Sequence, residues 1–342
     1  MKAIVKKEAK EGLWLSDVPV PTLGKNDVLI KPIKTAICGT DINIYKWSPW
    51  AQKNVPVPLV IGHEFVGTIT EVGSDVKHLK PGMRVTGEGH LTCGHCTGCR
   101  HGKRHLCSNV RGLGYHSPGC FAEYFTMPQE NVFPLPESIP DDIAAIFDPF
   151  GNSVHTAFSL ELPANNILIA GSGPIGMMAT AIAKHAGARR IIVTDVNASR
   201  LEIAKQMGAT DIVDVTKQKL SHYLKEIGLE EGVSGSMEMS GHPDGLKQLL
   251  ENTRYGGTVA LLGILPPNTV IDWDLVIFKM LILKGIYGRE IFATWDYMVN
   301  LIESGLDLKP IITHRFHYTD FNEAFQTMTS GKSGKIILDW SV

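Results

Sequence analysis

The feature that most constrains this chain is the run Gly171-Ser172-Gly173-Pro174-Ile175-Gly176. It follows the apolar segment NILIAG and opens the amphipathic stretch IGMMATAIAKHAG. A GxGxxG pattern alone is a weak signal, but between a strand and a helix it is a strong one. The first glycine permits a tight turn, the second lets a pyrophosphate approach the backbone, and the third seats the helix close to the sheet. With Ile175 they form a loop at a helix N-terminus, where unpaired N–H groups attract phosphate. Asp195 ends the next strand, RRIIVTD, about 20 residues on, where an acid bonds the adenosine ribose hydroxyls. A carboxylate there repels a 2′-phosphate, and Val196, Asn197, Ala198 and Ser199 supply no cation, so NAD is expected rather than NADP. Arg200 either lies over the adenine or ribose or is a solvated cation at a helix start.

From about Asn165 strands and helices alternate. The strands NILIAG, RRIIVTD, TDIVDV, GSMEMS, GTVALLG and LILKGIYG predict a doubly wound parallel sheet covered on both faces. Ligands of such sheets bind outside the strands' carboxyl ends. Leu262, Gly263, Ile264, Ile286 and Tyr287 occupy such ends and are expected to face the cofactor, with plain loop packing the competing reading. The first ~145 residues instead read as short strands (DVLIKP, VGTITEV, RVTGEG, AEYFTM) cut by Gly and Pro turns. At 342 residues the chain outgrows a single core. Past Ile291 come helical stretches over 295–304 and 319–329, then the strand GKIILDW, late enough to return to the N-terminal domain. The expected division is residues 1–148, an inserted nucleotide domain over 149–290, and a return segment over 291–342.

Cys93, Cys96, Cys99 and Cys107 place four thiolates within fifteen residues, in a lobe over 88–110. Four soft ligands at this spacing suit one tetrahedral zinc with a closed shell, which folds a loop and does no chemistry. The lobe has few apolar residues, so metal would supply its folding energy. An iron–sulfur cluster is the less favoured occupant, and His95, His101 and His105 are bystanders. Four clustered cysteines of six argue for metal rather than a disulfide framework, and Cys120 reads as a small buried apolar residue. The net charge of −2, with no run of like charges, argues against nucleic acid or a membrane surface as partner. No apolar stretch reaches the ~18–20 residues of a membrane helix, and the charged N-terminus lacks a signal peptide's apolar run. A cytoplasmic location is therefore expected.

A second constellation is dispersed: Cys38 in TAICGTD, His63 and Glu64 in VIGHEFVG, and Asp148 in FDPFGN. Singly, each residue is more often core or structural. Together they offer S, N and O donors from turn-rich segments, the mix of catalytic zinc with an open fourth position.

The order of GHE-x2-G, Cys-Gly-Thr-Asp, the four-cysteine lobe and a later GxGxxG resembles that of the zinc-dependent medium-chain dehydrogenase/reductase family, over the whole chain. The resemblance implies a GroES-like β-rich catalytic domain plus a Rossmann domain, with a small structural-zinc lobe and an active site in the cleft between the domains. It implies two zincs per chain, with Cys38, His63 and Glu64 holding the catalytic one and Asp148 beside it. KTAICGTD, GEGH, PGCFAEY, FDPFGNSVHTA, EMSG, IYGRE and SGLDLKPIITHRF resemble a branch that oxidises the secondary alcohol of a small amino-acid substrate. Thr40 matches a relay hydroxyl. Asn43 departs from that branch, where histidine is usual, and asparagine cannot accept a proton at neutral pH. His90 and Arg289 are candidates for the substrate's charged groups, beside Glu88, Glu290, Trp47 and Trp50, each competing with a solvated reading. Family likeness implies a homotetramer, with LILKGIYG as a sheet edge needing cover. The alternatives are a polyol dehydrogenase of the sorbitol or butanediol type and a catalytically impaired homologue.

Overall fold

Strand Asp27–Ala36 buries most of its residues, and Glu64–Val72 pairs with it antiparallel. The computed structural model describes residues 1–341. One compact unit comprises Met1–Asp148, Glu290–Val299 and the chain from Ile312 on. Its main sheet runs in the order Val132–Pro134, Arg84–Gly87, Glu64–Val72, Asp27–Ala36, Lys335–Asp339 and Ile312–His317, with Phe125–Pro128 also paired to the Asp27 strand. The late strand Lys335–Asp339 aligns Ile337 with Ala36 and Leu338 with Thr35. Ile30, Phe65, Phe121, Phe325 and Leu338 share this unit's core, and the rings of Phe65 and Phe125 meet edge to face at 4.8 Å. Each such large apolar side chain contributes roughly 1.5–3 kcal/mol when fully buried.

The second unit is Pro149–Arg289 with Asn300–Ile311. Residues 300–311 thus cluster with the nucleotide-binding part, not with the return segment. Six strands lie in the order Asp211–Asp214, Arg190–Asp195, Asn166–Ala170, Val233–Glu238, Thr253–Leu261 and Ile282–Gly285. All five pairings are parallel. The order reverses direction between the Asn166 and Val233 strands, which is the switch point where such sheets bind ligands. Ile167, Leu168 and Ile169 are all fully buried, as a sheet covered on both faces requires. Strand Thr253–Leu261 begins ahead of the apolar run GTVALLG because Thr253 is held there: its hydroxyl bonds Ser236 and the Leu249 carbonyl. Among the described residues no helix is long and apolar enough to cross a membrane.

Candidate active site

Two short segments bring the dispersed donors together. Cys38 is the extended residue that caps helix Gly39–Tyr45, and its backbone N–H donates to Asp41 Oδ2 at 2.8 Å. Gly62 adopts φ +93°, and a Cβ there would fall 2.1 Å from the Phe121 ring, so only glycine makes this turn. The turn delivers buried His63 and then Glu64, the first residue of strand Glu64–Val72. Donor atoms of Cys38, His63 and Glu64 all lie within 4.8 Å of one another. Asp41 Oδ1 stands 3.8 Å from His63 Nδ1.

Asp41 Oδ1, His63 Nδ1 and Glu64 Oε1 are all buried with no hydrogen-bond partner. Such orphans are rare and call for an unseen partner. Burial pushes the Asp41 and Glu64 carboxyls above their ordinary range, partly offset by His63 and Lys335. On His63, burial opposes charge, but the Cys38 thiol and the Asp41 and Asp148 carboxylates outweigh it and raise the imidazole well above its usual value. A crowded set of S, N and O donors that resists carrying its own negative charge fits a divalent cation, and zinc suits the mix. Asp148 acts on His63 and Glu64 through its charge but lies outside the 4.8 Å grouping. Gly89 packs between them: a Cβ there would lie 3.5 Å from both Asp148 Oδ2 and His63 Cβ.

Thr40, half-buried, and Asn43, exposed, lie three residues apart on helix Gly39–Tyr45 and so share a face. His90 is half-buried, and its Nδ1 meets Glu88 Oε1 at 2.9 Å. Arg289 lies in the second unit, is fully buried and donates to Asn152 Oδ1 at 3.1 Å.

The four lobe cysteines also bring their sulfurs within 4.8 Å of one another, and all six cysteines of the chain are free of disulfides. Backbone N–H groups of Cys99 and Ser108 lower Cys96 to about 5, whereas burial and neighbouring thiols push Cys99 up to about 11. Four acids this close cannot ionise independently, and one zinc lets all four become thiolates. Cys120 is fully buried, its Sγ against the Glu64 carbonyl.

In the second unit, Gly171 adopts φ +97°, and a Cβ there would lie 2.7 Å from the Ser240 backbone. A Cβ on Gly176 would lie 2.0 Å from the Gly171 carbonyl, whereas one on Gly173 would meet nothing within 4 Å. That open side of Gly173 caps helix Pro174–His185, whose residue Ile175 accepts from Ser153, and leaves room for a phosphate. Asp195 Oδ2 accepts from Ser172 N at 2.6 Å and Oδ1 from Asn197 N at 2.8 Å. Arg200 is half-buried, and its Nε has no hydrogen-bond partner. Leu262 and Gly263 donate to the Glu238 carbonyl, Ile264 is 93% exposed beside Gly241, and Ile286 donates to Leu261 O just before exposed Tyr287.

The sequence reading missed Asp41, Lys335 and Glu238. Glu238 sits inside the quoted segment EMSG. Its buried carboxylate accepts from Ser240 N at 3.0 Å and Gly241 N at 3.1 Å, fixing the loop beside the switch point. Lys335 bonds Glu64 from the far end of the chain.

A thiol–imidazole–carboxylate donor set and a four-cysteine lobe, in a chain that also folds a six-stranded parallel sheet, define a zinc-dependent dehydrogenase. Residues 24–137 match the alcohol dehydrogenase GroES-like domain and residues 174–304 the zinc-binding dehydrogenase domain, and the chain belongs to this zinc-dependent alcohol dehydrogenase family. It is 59% identical over 341 residues to the L-threonine 3-dehydrogenase of Protochlamydia amoebophila, a match spanning 99% of this chain and 100% of that protein. It is 56% identical over 340 residues to that of Escherichia coli, spanning 99% and 100%. An Escherichia coli alcohol dehydrogenase solved in complex with NADH is 26% identical, with a TM-score of 0.92 over 99% of both chains.

Proposed function

We propose that this chain oxidises the secondary alcohol of L-threonine to 2-amino-3-oxobutanoate, passing the hydride to NAD. The observation that carries the reading is the convergence of Cys38, His63 and Glu64 donors within 4.8 Å in a chain of full-length likeness to L-threonine 3-dehydrogenases. Cys38, His63 and Glu64 would hold a catalytic zinc, and Cys93, Cys96, Cys99 and Cys107 a structural one. Gly171, Gly173, Ile175, Gly176, Asp195 and Arg200, with Leu262, Gly263, Ile264, Ile286 and Tyr287, would line the NAD site. When bound, zinc supplies a Lewis acid to a hydroxyl and NAD a hydride acceptor.

The substrate gives up a hydride from its hydroxyl-bearing carbon and a proton from its hydroxyl. Thr40 Oγ1 receives that proton and passes it outward. Asn43 cannot carry it further, so it leaves through water. The Asp148 carboxylate keeps the path's electrostatics favourable to a proton. Glu88 fixes the His90 ring through Nδ1, which supports His90 as the candidate for the substrate's polar groups. The burial of Arg289 and its bond to Asn152 favour a supporting task in the nucleotide unit. We assign residues 1–148 with the return segment to catalysis and the inserted Rossmann unit to NAD.

We place the protein in the cytoplasm as a homotetramer. Ile277, Phe278, Met280 and Ile282 are exposed on helix Trp273–Phe278, the turn after it and the edge strand Ile282–Gly285. Apolar side chains beside an open strand edge call for cover.

NADH formation measured with L-threonine, sorbitol and 2,3-butanediol, with and without a chelator, tests the reading. L-threonine should be turned over in preference, and chelation should abolish the rate. Faster turnover of either polyol would refute the substrate assignment.

A further inference from the structure

Lys335 opens the last strand, yet its side chain is enclosed rather than solvated. Its Nζ donates to Glu64 Oε2 at 2.5 Å and to the Ile37 carbonyl at 2.7 Å. Ile37 immediately precedes Cys38. One ammonium therefore grips both segments that carry the proposed ligands. Glu64 Oε1 is buried without a hydrogen-bond partner. The charges acting on Glu64 come from Lys335, Asp148 and His63, and of these Lys335 is the one that also hydrogen-bonds it.

We propose that Lys335 is a positioning residue that takes Glu64 Oε2 for itself, restricts Glu64 to offering one oxygen to the metal, and so keeps the fourth position open to the substrate hydroxyl. This rests on Cys38, His63 and Glu64 being the zinc ligands. A carboxylate with both oxygens free can close on a metal through the pair. Two cations sharing one buried carboxylate also repel each other. Removing Lys335 should therefore tighten the metal and crowd its open position. A purely structural support would do the reverse, because losing an outer partner ordinarily weakens metal binding about 10–100-fold.

The test uses the full-length enzyme loaded with cobalt(II), as wild type and as Lys335→Met, Lys335→Gln and Lys335→Arg. Two quantities are read: the rate at which a chelator withdraws the ion, and the visible ligand-field spectrum. A Cys38→Ala protein supplies the baseline from the four-cysteine site. The two neutral variants should release the Cys38-dependent ion about tenfold more slowly, the scale of outer-partner effects. Their band should lose intensity as a further oxygen joins the shell, and Lys335→Arg should behave as wild type. Unchanged or faster release with an unchanged band overturns the inference. If Lys335→Met does not fold, Lys335→Gln, which keeps hydrogen-bonding capacity and removes the charge, decides. Failure of both to fold also overturns it, in favour of a purely structural pair. If wild type and Cys38→Ala do not differ, the ligand assignment itself fails.

Discussion

Asn43 stands exposed on the same helix face as Thr40, where a proton acceptor would complete an outward path. Histidine there would titrate near neutrality. Asn43→His should raise the rate of NADH formation about tenfold or more near neutral pH and extend the pH–rate profile toward acid. An unchanged profile would mean that the proton never passes this face. Asp195 ties both carboxylate oxygens to backbone N–H groups of its own loops. Asp195→Ala should raise the KM for NAD by about tenfold to a hundredfold, as losing one or two charge-assisted bonds implies, and should narrow the preference over NADP. An unaltered KM would contradict its role at the ribose. The donors themselves were legible in the sequence because sulfur, imidazole and carboxylate sit in turn-rich motifs. Lys335 was not: a lysine starting a strand reads as solvated, and its partner Glu64 lies 271 positions away.

Strands Arg190–Asp195 and Asp211–Asp214 are joined by a polar knot as well as by backbone pairing. Arg190 Nε and Nη2 reach the two Asp211 oxygens at 2.7 and 3.0 Å, and Tyr223 Oη adds a bond to Oδ1 at 2.5 Å. Burial pushes the Asp211 carboxyl up, but bonds from Arg190, Thr210 and Tyr223 more than offset it and hold it below its ordinary value. A depressed folded-state value means that the ionised carboxylate stabilises the fold above its unfolded pKa of about 3.9 and ceases to as pH falls through the folded value. Arg190 is a third exposed, so solvent screening limits the loss in Asp211→Asn to about 1–2 kcal/mol. Denaturant titrations should show that gap at neutral pH and see it shrink below about pH 4; a gap constant with pH would exclude the ion pair as its source. In the zinc lobe, the helices Thr97–Arg100 and Arg104–Leu106 span four and three residues, too short to persist alone. Cys99→Ser should therefore cost one zinc and expose the lobe to protease while the parallel sheet keeps its circular-dichroism signal. Lobe resistance equal to wild type would contradict a metal-folded lobe. The six strands of the parallel sheet were legible from their runs and their alternation with helices. Helices Gly39–Tyr45 and Pro49–Asn54 were not, since seven and six residues are too few to show a helical period, although Ser48 before Pro49 marks the second start.

For the whole molecule, alternation of strand and helix was enough to read the parallel sheet and its strand count. Grouping of residues 300–311 with that unit was not legible, because the division falls after Val299, inside the helix Ala293–Glu303, where the sequence carries no break. The exposed apolar residues at the Ile282 edge are where the proposed assembly would form. Ile282→Lys should split the oligomer in sedimentation experiments, and an unchanged sedimentation coefficient would place the interface elsewhere. The account depends most on one metal being held by Cys38, His63 and Glu64 and being required for L-threonine oxidation. The most direct test is the zinc content of purified Cys38→Ala beside wild type, each assayed with L-threonine and NAD. Two ligand groups predict about two zincs per chain in wild type and about one in the variant, with threonine-dependent NADH formation lost. A variant that keeps both zincs, or that still oxidises L-threonine at the wild-type rate, would contradict it.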